Sequence, residues 1–201
     1  MAKRTILAGL GGGITMFVWM SIAHMVLPLG ETGVQEISHE QPVLSAMQAA
    51  LGQKSGLYLF PGMGLGPDAT NQQKNAAMQQ YDQKLAANPS GLLVYHPPGE
   101  TGVTVRRLLT EFLTELLEAF LVVLLLAQTS LESFAGRFVF AITAGVLASL
   151  GTNVSYWNWY GFPSSYTSVY MLTQVAGFVC MGAVAAAVMP TTTPKSVAAM
   201  A

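Results

Sequence analysis

Glu111, Glu115 and Glu118 recur at turn spacing in the segment "RRLLTEFLTELLEAFLVVLLLA" (106–127). On a helix of 100° per residue they fall within about 60° of one another, on one face. Carboxylates on successive turns are hard oxygen ligands that suit Mg, Ca or Mn better than soft metals. They can also relay protons, dock a basic surface or take part in ion pairs, and Arg107 stands one turn before Glu111, at i,i+4 spacing. The same helix must then enter lipid. Its uncharged stretch, Ala119 to Leu131, is 13 residues, roughly 20 Å of helix against a hydrocarbon core of about 30 Å. Glu118 and Glu115 are therefore expected below the outer boundary. A carboxylate facing lipid there costs a few kcal/mol, so the stripe must face other helices, a cap or a polar cavity.

Three uses of the stripe stand open. It is structural, with an Arg107–Glu111 pair and the lower glutamates accepting from the cap or from Ser168, Thr173 and Gln174 of the fourth span. It docks another protein. Or it holds a cation or relays protons. His24, about one turn before Pro28, is expected at a depth similar to the glutamates. It reads as a partnered structural histidine, as a functional His–Glu partner or as a haem ligand. A bis-histidine haem needs a second intramembrane histidine, and His39 and His96 lie outside the apolar runs. Methionine is a conceivable axial ligand, but its flexible side chain is common filler in apolar helices. No cofactor is expected; a divalent cation on the stripe and a haem on His24 remain the alternatives.

The composition demands a membrane. Charged residues make up 9% of the 201 and apolar residues 52%, far too few charges to cover a soluble surface. A net charge of −1 offers no clustered basic surface for nucleic acid. Walker, dinucleotide, CxxC and HExxH spacings are missing. The single Cys180 reads as a buried thiol and excludes a disulfide framework within one chain.

Four transmembrane helices are expected, at 5–28, 108–128, 134–152 and 166–189. The first, behind Lys3 and Arg4, is about twice the length of a signal-peptide core and lacks a small-x-small cleavage site, so it reads as a retained anchor. With the N-terminus inside, Lys3, Arg4, Arg137 and Lys195 flank the cytoplasmic ends against Arg106 and Arg107 outside, which places both termini in the cytoplasm. The tail 190–201 is expected to be cytoplasmic and poorly ordered. Small residues mark close helix approach: Gly9 and Gly13 in a GxxxG, then Ala141, Gly145 and Ser149 along one face. Internal packing and oligomerisation both fit them. Tyr156, Trp157, Trp159 and Tyr160 are expected at the outer interface, where an aromatic body with a polar tip is favoured.

Residues 29–105 are acidic, proline-punctuated and without a membrane-length apolar run. They hold two similar elements, "SGLYLFPGMG" (55–64) and "SGLLVYHPPG" (90–99), each an apolar run closed by Pro and Gly, as in a strand ended by a turn. A helix over 68–88, capped by Asp68 or Thr70 and stopped at Asn88-Pro89, lies between them. A second helix over 39–53, capped by Ser38, precedes. A helical crossover suggests parallel strands. The fold class is thus an all-α membrane bundle of four transmembrane helices with a small α/β extracytoplasmic cap between spans one and two. "HMVLP" (24–28), "SGLYLFPGM" (55–63) and "VYHPPGE" (94–100) resemble an uncharacterised family of small bacterial inner-membrane proteins over roughly residues 15–127. The resemblance implies a bacterial inner-membrane location and brings no activity or site residue.

No nucleophile has a base and an orienting partner in evident spacing, so there is no positive case for an enzyme. The expected function is a non-catalytic accessory or structural subunit of a larger membrane complex, or a self-associating component, its partners being lipid and other membrane subunits or itself. The alternatives are an ion-, proton- or cofactor-handling protein built on His24 and the Glu111/Glu115/Glu118 face, and a small oligomeric transporter. A transporter has little support, because no broken helices recur in two halves.

Overall fold

A computed structural model describes residues 2–99 and 102–189; the tail 190–201 lies outside them. The elements run α1 (Ala2–Met25), α2 (Glu40–Leu51), β1 (Gly56–Phe60), α3 (Asn71–Ala87), β2 (Gly91–Tyr95), α4 (Val105–Ala127), α5 (Phe134–Tyr160) and α6 (Ser164–Val188). The chain divides into two compact units, residues 35–102 and the remainder. Three helices, α1, α5 and α6, are long and apolar enough to cross a membrane, so the chain is a membrane-associated protein.

In the helical unit α1 packs between α4 and α6, and α6 packs on α5. The glycines of α1 explain its central place. Gly13 lies against the backbone of Leu116 and Glu115, and Gly9 against the ring of Phe120, so this face meets α4. Gly12 meets Met181 on α6. Without side chains at these positions the helix axes approach closely, the usual route to tight packing where lipid supplies no hydrophobic drive. Ala141 and Gly145 meet Gly182 and Phe178 of α6, while the Ser149 hydroxyl donates to the Met171 carbonyl at 3.5 Å. Both small-residue faces are therefore used inside one chain. Met16, Ala119, Val123, Phe178, Met181 and Ala185 form the core between them.

Helix ends follow local chemistry. Thr104 accepts from the Arg107 amide and Ser133 from the Gly136 amide, each satisfying an amide that the first turn leaves free. α5 does not stop at 152 but runs to Tyr160, where Gly161 takes a left-handed conformation (φ 69°). Asn153 and Ser155 lower the hydropathy there without breaking the backbone ladder. Tyr156, Trp157, Trp159 and Tyr160 thus lie on the last helical turns. Trp157 donates its indole N–H to Ser164 at 3.0 Å.

The smaller unit has its two strands antiparallel, with Gly56 opposite Tyr95 and Phe60 opposite Gly91, which corrects the expectation of parallel pairing. The connection explains it. Ten residues rich in Gly and Pro, 61–70, can reach about 33 Å, while the 17 residues of α3 return about 25 Å. The outward loop and the returning helix cancel, so β2 starts where β1 ends. Lys84, late in α3, donates to the carbonyl of Gly62 early in the loop. α3 begins in a full capping box between Thr70 and Gln73. α2 starts after His39, in a left-handed conformation with no side-chain cap, so Ser38 does not cap it. Its body ends at Gly52, whose carbonyl accepts from the Tyr95 hydroxyl at 2.9 Å.

Candidate functional site

The glutamates enter the helical unit one turn at a time. Glu111 is exposed, Glu118 is half-buried, and Glu115 is only 3% exposed. Its depth follows from the antiparallel α1–α4 contact, in which Phe17 meets Phe112 edge-on at 5.2 Å and Gly13 meets Glu115 and Leu116. Gly13 is midway along α1, so Glu115 lies near mid-height of the helical unit. Its Oε2 is buried and accepts no hydrogen bond. The Gln174 Oε1 on α6 is likewise buried and without a donor. Ser168, expected to donate to the glutamates, instead donates to the Ser165 carbonyl of its own helix at 3.2 Å. Thr173 contributes its carbonyl, which accepts from the Trp19 indole at 2.8 Å. Arg107 is exposed at the start of α4, and its amide donates to the Thr104 cap.

His24 does not share the glutamates' depth. It stands 11 positions beyond Gly13 on α1, about 16 Å along the axis, because α1 ends at the level where α4 begins. Its ring is exposed, and Nδ1 donates to the Met20 carbonyl at 2.9 Å. Among the described residues no group of three His, Cys, Asp or Glu side chains is placed to hold a metal ion. A site uniting His24 with Glu115 has no geometric basis.

Two features went unnoticed in the sequence. The first is Arg137, read there only as a flanking charge. It is 4% exposed and donates to the carbonyls of Leu131 and Met189, both at 2.9 Å. It thereby ties the α4–α5 connection to the last carbonyls of α6, where a cation also complements the helix dipole. The second is a cavity of about 220 Å³ between α5 and α6, whose walls include Asn153, Tyr156, Phe162, Tyr166, Tyr170 and Gln174. Four of its rings form a continuous series: Tyr156 to Phe162 at 5.5 Å, Phe162 to Tyr166 at 5.7 Å and Tyr166 to Tyr170 at 5.8 Å. Tyr166, Tyr170 and Gln174 follow at i, i+4 and i+8 on α6, a spacing visible in sequence only once the α5 partner is known.

Comparison with protein families, with characterised proteins and with solved structures yields no match for this chain.

Proposed function

We propose that this chain is a four-span integral membrane protein of the bacterial inner membrane, with both termini cytoplasmic and α4 as its second span. It serves as a non-catalytic structural or accessory subunit that assembles through residues 35–102 with other membrane proteins or with itself. The fourth span is supported by the contact of α4 along α1 from Phe112 to Phe120, which lets the acidic face lie toward protein.

The observation that carries the assembly reading is an uncovered apolar sheet face. Leu57 pairs with Val94 and Leu59 with Leu92, so all four point to one side. Leu57, Leu59 and Val94 are 64%, 57% and 65% exposed. Among the described residues of this unit only Tyr95 is buried. Two strands alone are marginally stable, and a contiguous apolar face on so small a unit marks a contact surface. The Tyr58 and Tyr95 rings meet edge-on at 6.4 Å on the opposite face, leaving the leucine face for a partner.

Charge on that face tests the reading. A Leu57→Asp/Val94→Asp double variant, purified in mild detergent, is expected to fall to the mass of the single chain in light scattering while the wild type does not. A variant that keeps the wild-type mass would remove this face from the assembly.

A further inference from the structure

We propose that the α5–α6 cavity binds a small, neutral hydroxyarene, a single aromatic ring bearing an O–H. The inference goes beyond assembly and stands on different residues. Polar groups, walls, charge and size each narrow the ligand.

Two unengaged oxygens border the cavity. The Ser149 hydroxyl donates to the Met171 carbonyl across the α5–α6 seam. One turn outward on each helix stand Asn153 and Thr167, and a further turn outward Trp157 donates to Ser164 at 3.0 Å. Asn153 and Thr167 therefore lie opposite each other at one height, between two cross-links. Both line the cavity, and each is only 8% exposed. Asn153 commits its amide nitrogen to the Ser149 carbonyl at 2.9 Å. Its Oδ1 and the Thr167 hydroxyl have no hydrogen-bond partner among the described residues, yet neither oxygen is fully enclosed. An acceptor and a donor thus await a ligand that is itself both.

The walls beside them are rings. Tyr156, Phe162, Tyr166 and Tyr170 follow one another at 5.5 to 5.8 Å, a surface that favours a further ring by stacking or edge contact. No charged side chain lines the cavity among the described residues, and an ion left there unpaired is costly, so the ligand is neutral. A cavity of roughly 150 Å³ admits benzene. The volume of about 220 Å³ here admits one substituted ring. Water satisfies the two oxygens and leaves the rings uncovered, and a hydrocarbon does the reverse. A phenolic hydroxyl donates to Asn153 Oδ1, accepts from Thr167 and brings its own ring to the tyrosines.

The test is a fluorine NMR titration of para-fluorophenol against the full chain in mild detergent, with para-fluorotoluene in parallel and protein-free detergent as the blank. Saturable binding of para-fluorophenol is expected, about tenfold tighter than para-fluorotoluene, which leaves both oxygens unpaired. Phenol should displace it, and cyclohexanol, with a hydroxyl but no aromatic ring, should not. These comparisons require no variant to fold. Asn153→Leu and Thr167→Val are each expected to shrink the tenfold preference to about twofold or less, whereas Tyr170→Leu weakens both ligands alike. Equal affinity for the two ligands, non-saturable uptake, equal displacement by cyclohexanol, or a preference unchanged in both Asn153→Leu and Thr167→Val would overturn the assignment. None of these outcomes bears on the sheet face of residues 35–102, so the two readings fail independently.

Discussion

Arg137→Leu is expected to cost about 3 kcal/mol of stability, measured by denaturant titration of the purified protein in mild detergent. The substitution removes charge-assisted bonds to Leu131 and Met189 and leaves their carbonyls without that donor. Arg137 and Met189 are both buried, so water cannot readily take the guanidinium's place at the Met189 carbonyl. The size of the effect comes from position. Arg137 belongs to the first turn of α5 yet reaches the last carbonyls of α6, 52 residues away in sequence. Its loss loosens three segments at once. Arg106→Leu, at an exposed site on α4, is the matched control and should stay within about 0.5 kcal/mol. Equal stability of the two variants would make Arg137 a flanking charge and no more.

Gly13→Ala is the second large effect, expected at about 1–3 kcal/mol. A methyl group there would lie 2.8 Å from the Leu116 Cα and 3.2 Å from the Glu115 carbonyl oxygen. Backbone cannot move aside without separating α1 from α4. At Gly9 the three atoms nearest an added methyl group all belong to the Phe120 ring, the first at 2.5 Å, and a side chain can shift about its own χ angles where backbone cannot. The same methyl group should therefore cost more at Gly13 than at Gly9. The contrast follows from the internal use of both glycines; a GxxxG face reserved for a second chain would leave monomer stability untouched and alter oligomer mass instead.

Particular residues show what the sequence made legible. The apolar runs placed α1, α5 and α6 as membrane-length helices, because lipid solvation is written in composition over about 20 residues. The strand elements at Gly56–Phe60 and Gly91–Tyr95 were visible from apolar runs closed by Gly and Pro. Their relative direction was not, since it depends on how far a coiled loop travels before α3 turns back. The acidic face was readable from periodicity, but the separation of His24 from Glu115 required the antiparallel pairing of α1 and α4. The end of α5 was missed because hydropathy reports lipid and not helix: Asn153 is polar, yet it is buried and donates to the Ser149 carbonyl at 2.9 Å. The aromatic cavity needed two helices to face each other, and no single segment contains it.

The most direct measurement is the mass of the purified wild-type chain in mild detergent, by light scattering with the detergent contribution subtracted. Assembly through the Leu57, Leu59, Leu92 and Val94 face predicts a particle larger than the 21.3 kDa chain, either a whole multiple of it or a complex with a second membrane protein at fixed stoichiometry. A homogeneous, stable 21.3 kDa monomer with that face still exposed to solvent would contradict it.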